Sequence, residues 1–162
     1  MQEKEKLENR YKRICIQLED LCKSTTNPIS RMATVIAILH HKMPHFFWTG
    51  FYILENGELF VGPYQGPLAC QVLEKNKGIC WAGIRRRSTI VVPNVHEFPG
   101  HIACDSRSNS EIVVPLFDGN GQPWAVLDVD SKKFDAFSDV DITWLEKIAG
   151  LIQPIEKTHS KQ

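Results

Sequence analysis

No run of this sequence approaches the roughly 20 apolar residues that cross a bilayer. The first residues, MQEKEKLENRYKR, are charged throughout and lack the apolar core of a secretion signal. Membrane insertion and export are thereby disfavoured, and a reducing cytoplasm is the expected compartment. Net charge is absent too: 19 basic residues balance 19 acidic ones, so no global field draws the chain to nucleic acid or anionic lipid. The run Arg85-Arg86-Arg87 is too short to reverse that and reads as a solvated face. There is no C-x-x-C pair, which removes the dithiol oxidoreductase signature. The cysteine count is five, an odd number that cannot pair completely within one chain. No phosphate-binding glycine loop follows a strand, and no repeat or low-complexity segment is present. Asp128-Val129-Asp130 with Asp139 superficially resembles a calcium loop. Lys132 at its fifth position and Lys133 in place of the required glycine exclude calcium.

What is present is a 162-residue chain with 43% hydrophobic residues, enough for one domain around one core. Leu7, Tyr11, Ile14, Cys15, Leu18, Leu21 and Cys22 form one apolar stripe, predicting a helix over 3–24. Asn27-Pro28 supplies a cap and a first-turn proline for a second helix over 28–43, carrying Met32, Val35, Ile36, Leu39 and Met43. From Phe46 the pattern turns aromatic and β-branched. Strands are expected over 46–54 and 58–62, joined at Asn56-Gly57, and over 111–117 and 123–130, joined by 118–122. Thr89 to Val92 reads as a further strand. Ser138 and Asp141 form a capping box opening a last helix over 138–153 with Leu145, Ile148, Leu151 and Ile152. The polar tail from Lys157 is expected to fray. Hairpins in the middle and helices at the ends predict an α+β domain with a central antiparallel sheet over 45–131.

Two connections, 63–88 and 93–110, are long, and long connections in compact domains are usually functional. Between them they hold Cys70, Cys80 and Cys104, whereas Cys15 and Cys22 lie on the first helical stripe as small buried hydrophobes. Three readings of the loop thiols stay open on spacing alone. They are packed loop thiols, a zinc site through His101-x-x-Cys104, or a nucleophile with one or two resolving thiols. Trp48 and Tyr52, four apart, share one face of their strand, as core residues or as the wall of a site.

Taken together, Trp48-Thr49-Gly50-Phe51-Tyr52, Gly62-Pro63-Tyr64-Gln65-Gly66, His101-Ile102-Ala103-Cys104-Asp105, Ser108-Asn109-Ser110-Glu111-Ile112-Val113-Val114-Pro115 and Val126-Leu127-Asp128-Val129-Asp130-Ser131 resemble the stand-alone GAF-domain free methionine-(R)-sulfoxide reductases. The resemblance spans about residues 45–150. It implies a GAF-like fold, with the first and last helices on one face of the sheet and the cysteine loops over a pocket on the other. It also implies Cys104 as the attacking thiolate, Cys70 as the resolving thiol and Cys80 as a second thiol that can take over. Trp48 and Tyr52 would wall the methyl-sulfoxide end, Glu111 would protonate the sulfoxide oxygen, and Asp128 and Asp130 would receive the substrate ammonium. No metal or organic cofactor is implied; the expected partners are a thioredoxin-type reductant and a second copy of the chain. The alternative is a GAF sensor for a small ligand such as a cyclic nucleotide, although such sensors usually sit beside an output domain. One position departs from the family: Trp81 follows Cys80 where glycine is usual, implying a narrower pocket or a slower loop.

Overall fold

A computed structural model describes residues 1–101 and 104–156. Ile102, Ala103 and the polar tail from Lys157 lie outside the described residues. Helix α1 (Gln2–Leu21) continues into a 3-10 turn at Cys22–Ser24 and buries Tyr11, Ile14, Cys15 and Leu18. The stripe stops short of Leu21, which is 43% exposed, because the helix tightens there and turns Cys22 inward instead. Helix α2 (Pro28–Lys42) starts as the proline requires, with the Asn27 side chain accepting the Ser30 amide at 3.0 Å.

Strands β1 (Trp48–Glu55) and β2 (Glu58–Gln65) form a hairpin through Asn56 and Gly57. Both turn residues have positive φ, 51° and 78°, the backbone that a two-residue turn between twisted strands demands. Then come β3 (Val72–Leu73), α3 (Gly78–Arg86), β4 (Ile90–Val92), β5 (Ser110–Phe117), β6 (Pro123–Ser131) and α4 (Asp139–Ala149). The six strands form one antiparallel sheet in the order β3-β2-β1-β6-β5-β4.

The expected connection 63–88 is largely structured, containing the end of β2, the short β3 and all of α3. Helix α3 escapes pattern reading because Ile79 through Ile84 are buried without interruption, which erases the 3.6-residue period. Gly83 also weakens the helical signal, yet the packing needs it: a β-carbon there would lie 2.9 Å from Cγ1 of Val113 on the sheet. The last helix ends at Ala149, four residues before the expected 153. Leu151 and Ile152 instead bond back to the carbonyls of Ile148 and Ala149, so Ile152 is still buried. The capping box forms as read, with Asp141 accepting from the Ser138 amide and hydroxyl.

Strand alternation splits the sheet into two faces. Phe51, Ile112, Val114, Leu116, Ala125, Leu127 and Val129 meet α1, α2 and α4 in the larger core. Trp48, Tyr52, Val113 and Val126 point the other way, toward α3 and the loops. No helix among the described residues is long and apolar enough to cross a membrane.

Candidate active site

Parity places Glu111, Asp128 and Asp130 on the α3 face, because each stands an even number of residues from Val113 or Val126. Register then aligns them. Trp48 pairs with Asp130, which pairs with Glu111, and in the next row Gly50 pairs with Asp128, which pairs with Val113. Neighbours across a sheet lie about 5 Å apart, so the strands alone bring three carboxylates together beside an aromatic wall. Trp48, Tyr52, Cys80, Cys104, Glu111, Asp128 and Asp130 all line one cavity of about 70 Å³ between the sheet, α3 and the loops. Cys70, the remaining residue implied by the resemblance, is joined to Cys104 by a disulfide with Cα atoms 5.9 Å apart.

The wall is a stack. The rings of Trp48 and Tyr52 lie 5.8 Å apart, and Tyr64 stacks on the far side of Trp48 at 5.4 Å. The indole N–H donates to the carbonyl of Pro67 at 3.1 Å, and the Tyr52 hydroxyl donates to the carbonyl of Cys70 at 3.1 Å. The aromatic wall therefore also fixes the loop that carries Cys70. Gly50 makes the stack possible, since a β-carbon there would meet the Trp48 ring at 2.3 Å and Cβ of Tyr64 at 2.5 Å. Tyr64 lies in one of the segments that carry the resemblance, but its stacking depends on that glycine gap, which sequence pattern alone does not reveal. Lys77, which no sequence pattern marks, also lines the cavity, as do Ser108 and His101, both within segments that carry the resemblance. His101 stands three residues from Cys104, and that adjacency was the available clue.

Cys80 is not on a loop. It lies in the first turn of α3, 5% exposed, with its thiol facing the cavity, while Trp81 packs into the smaller core behind it. The ring of Trp81 therefore does not narrow the pocket, contrary to the expectation from sequence: consecutive helical positions point about 100° apart.

Glu111 and Asp128 are 5% and 6% exposed, and no lysine or arginine forms an ion pair with Glu111, Asp128 or Asp130 among the described residues. Burial raises all three carboxyls. Glu111 is pushed well up by burial and then by the neighbouring Asp128 and Asp130, and Asp130 by burial and Asp128. Asp128 reaches about 6, held from rising further by hydrogen bonds from Glu111 and Cys80. Its Oδ1 is buried and has no partner. Burial, followed by Asp128 and Glu111, likewise raises the Cys80 thiol. Burial thus favours the protonated form of Glu111, which stands beside a buried Asp128 that no lysine or arginine neutralises among the described residues.

This has a consequence for the empty protein. A carboxyl whose folded value lies above its unfolded one adds stability below the unfolded value, and that stability is lost as pH rises through the folded value. For Asp128 the window runs from about 3.8 to about 6. Asp128→Asn should therefore stabilise the unliganded protein by roughly 2–3 kcal/mol at pH 7.5. The gain should disappear near pH 4, and chemical denaturation at the two pH values checks both the sign and the window.

A six-stranded antiparallel sheet with helices on both faces and a small ligand-sized cavity over one of them is the GAF architecture, and the GAF domain family pattern matches residues 29–154. The chain is 41% identical to GAF domain-containing protein A of Dictyostelium discoideum over 90% of its length and 91% of that protein. It is 37% identical to the free methionine-R-sulfoxide reductase of Escherichia coli (strain K12), covering 85% of this chain and 83% of that one. The free methionine-R-sulfoxide reductase of Neisseria meningitidis, solved in complex with its substrate, superposes with a TM-score of 0.83 at 36% identity, covering 87% and 84% of the two chains. The chain belongs to the free methionine-R-sulfoxide reductases of the GAF-domain family.

Proposed function

We propose that this protein reduces free L-methionine-(R)-sulfoxide to methionine, with Cys104 as nucleophile and Glu111 as acid. The observation that carries the reading is the shared cavity: a cysteine able to form a disulfide, a carboxyl raised by burial and two further carboxylates line one small space. A sulfoxide sulfur becomes a good electrophile once its oxygen is protonated, and burial raises the Glu111 carboxyl, which favours the protonated form that can supply the proton. The Cys104 thiolate attacks that sulfur, and the protonated oxygen passes from it to Cys104 Sγ as the substrate's sulfur–oxygen bond and the transient sulfur–sulfur bond both break. Methionine leaves and Cys104 becomes a sulfenic acid. The Cys70 thiol displaces its hydroxyl as water, giving the Cys70–Cys104 disulfide. Two electrons and two protons from a thioredoxin-type dithiol restore both thiols.

Asp128 and Asp130 take the substrate's ammonium, which supplies the cation that these carboxylates lack. Trp48 and Tyr52 hold the methylsulfinyl end. The small cavity, about 70 Å³, with its paired carboxylates suits a free amino acid, whereas the cyclic nucleotide of the alternative sensor reading would bring a phosphate anion against those carboxylates. The enzyme works as a homodimer in the cytoplasm. Exposed Ile16, Leu21 and Ile29 on and beside α1 support the first point, and the need for resting thiols supports the second.

A single-turnover experiment tests this reading. Reduced protein mixed with excess free methionine-(R)-sulfoxide and no reductant should fall from five titratable thiols to three, with one methionine formed per chain. Peptide mapping should place the bond between Cys70 and Cys104. A bond from Cys104 to Cys15 or Cys22 would require the mechanism to be redrawn. Gly50→Ala should lower kcat/KM by about tenfold or more, because displacing Trp48 by even about 1 Å disturbs the wall that orients the sulfoxide. Steady-state kinetics with free methionine-(R)-sulfoxide measures it, and unchanged kinetics would show that the stack is merely structural.

A further inference from the structure

The proposed reaction assigns Cys80, which lines the pocket, no contact with the substrate. Cys80 Sγ lies in a set with one carboxylate oxygen of Glu111 and one of Asp128, all mutually within 4.8 Å and all buried. An ammonium ion would use the carboxylates and ignore the sulfur. A thiolate with two carboxylates is instead a donor set for a borderline-soft divalent cation, which prefers sulfur, nitrogen and carboxylate oxygen. Among the described residues this is the one cluster with such a composition. The second observation is independent of the cluster's make-up. Asp128 is 6% exposed, and its Oδ1 is buried with no hydrogen-bond donor, an unfilled electrostatic demand within the site.

We propose that the pocket binds a zinc ion through Cys80 Sγ, Glu111 and Asp128, in competition with the amino-acid substrate. Three donors at about 2.0–2.3 Å from zinc stand closer together than 4.8 Å, so small rotations of the Glu111 and Asp128 side chains complete the site. All three residues line the cavity, which leaves the fourth tetrahedral position open to water. Binding deprotonates the Cys80 thiol and Glu111, and both protons go to solvent. Zinc takes no part in the reduction. It occupies the acid that the reaction requires and one of the carboxylates that would hold the ammonium. The metal site stands on the geometry alone, and only the competition rests on the proposed function.

The test begins with the disulfide form, in which Cys70 and Cys104 cannot ligate and the thiols are Cys15, Cys22 and Cys80. Titration with cadmium chloride should give a sulfur-to-cadmium charge-transfer absorbance saturating at one equivalent. Zinc chloride should reverse it, and isothermal titration should give one zinc per chain. Cys80→Ser should abolish the absorbance, while Cys15→Ser and Cys22→Ser leave it intact. Asp128→Asn should weaken zinc binding by more than the roughly tenfold cost of losing an outer-sphere partner, with thermal unfolding confirming that each variant folds. Absence of the band, or its loss in Cys15→Ser or Cys22→Ser with retention in Cys80→Ser, would overturn the site. The Cys104→Ser protein, which cannot form this disulfide, serves for competition: free methionine sulfoxide should raise the apparent zinc Kd in proportion to its concentration. A zinc site that the sulfoxide leaves untouched would overturn the competition, and with it the placement of the ammonium at Asp128, while the metal site itself remains.

Discussion

Cys104→Ser is expected to lower turnover of free methionine-(R)-sulfoxide by several orders of magnitude while the thermal unfolding temperature stays within a few degrees of the wild type. A hydroxyl at neutral pH is a far weaker nucleophile than a thiolate, and binding energy cannot replace the missing covalent step. Cys104 is exposed and lies outside both hydrophobic clusters, so the comparison is made with reduced wild type, which likewise lacks the Cys70–Cys104 bond, and there the fold should not register its loss. Cys70→Ser should behave differently. It leaves the nucleophile in place, so one methionine per chain should still form in a single turnover, and the block should appear only at recycling. Steady-state and single-turnover assays on the two variants separate the roles. If Cys104→Ser keeps more than about a tenth of the activity, Cys104 is not the nucleophile.

Methionine sulfoxide inside a peptide should be reduced at least about a thousandfold less efficiently than the free amino acid. The ammonium becomes a neutral amide there, so Asp128 and Asp130 would face it with no cation. Leaving buried polar groups unpaired costs far more than losing an equal apolar contact. Comparing kcat/KM for free methionine-(R)-sulfoxide and for the same residue at the centre of a short peptide measures the effect. Comparable values would mean that the carboxylates serve another purpose.

Much of this was legible in the sequence, and the reasons are local. The hairpin at Asn56-Gly57 declares itself through residues that accept positive φ, and the helix beginning at Pro28 through Asn27 and the proline itself. Period-two reading places Trp48 and Tyr52 on one face, and the same parity carries Asp128 and Asp130 to the face of Val126. What spacing could not supply was the register that sets Asp130 beside Trp48, since the pairing of β1 with β6 joins residues 72 to 82 positions apart, from Ile53 with Ala125 to Trp48 with Asp130. Helix α3 was hidden because it is buried on every side and broken by Gly83, so neither its periodicity nor its propensity stood out. That omission led to the reading of Cys80 as a loop thiol and of Trp81 as an obstruction. Once α3 is recognised, one helical step separates the two side chains and sends them to different surroundings. The Cys70–Cys104 pair was likewise beyond spacing, 34 residues apart, and came from the resemblance.

The disulfide also depends on residues outside the thiols. Tyr52 donates its hydroxyl to the carbonyl of Cys70, so the residue that walls the pocket also holds the loop that carries Cys70. On the other side, Asp105 is bound by the Arg107 guanidinium at 2.7–2.9 Å, which holds its carboxyl down to about 2. The residue following Cys104 is thereby locked as an anion in a turn instead of competing for the protons of the pocket.

The central claim is that this pocket reduces one epimer of a free amino acid. Its most direct test is NADPH consumption in an assay coupled through thioredoxin and thioredoxin reductase, run separately with free methionine-(R)-sulfoxide and free methionine-(S)-sulfoxide. Turnover with the R epimer and none above background with the S epimer is the expected result. No turnover with R from fully reduced protein, or equal rates with both epimers, would contradict the account.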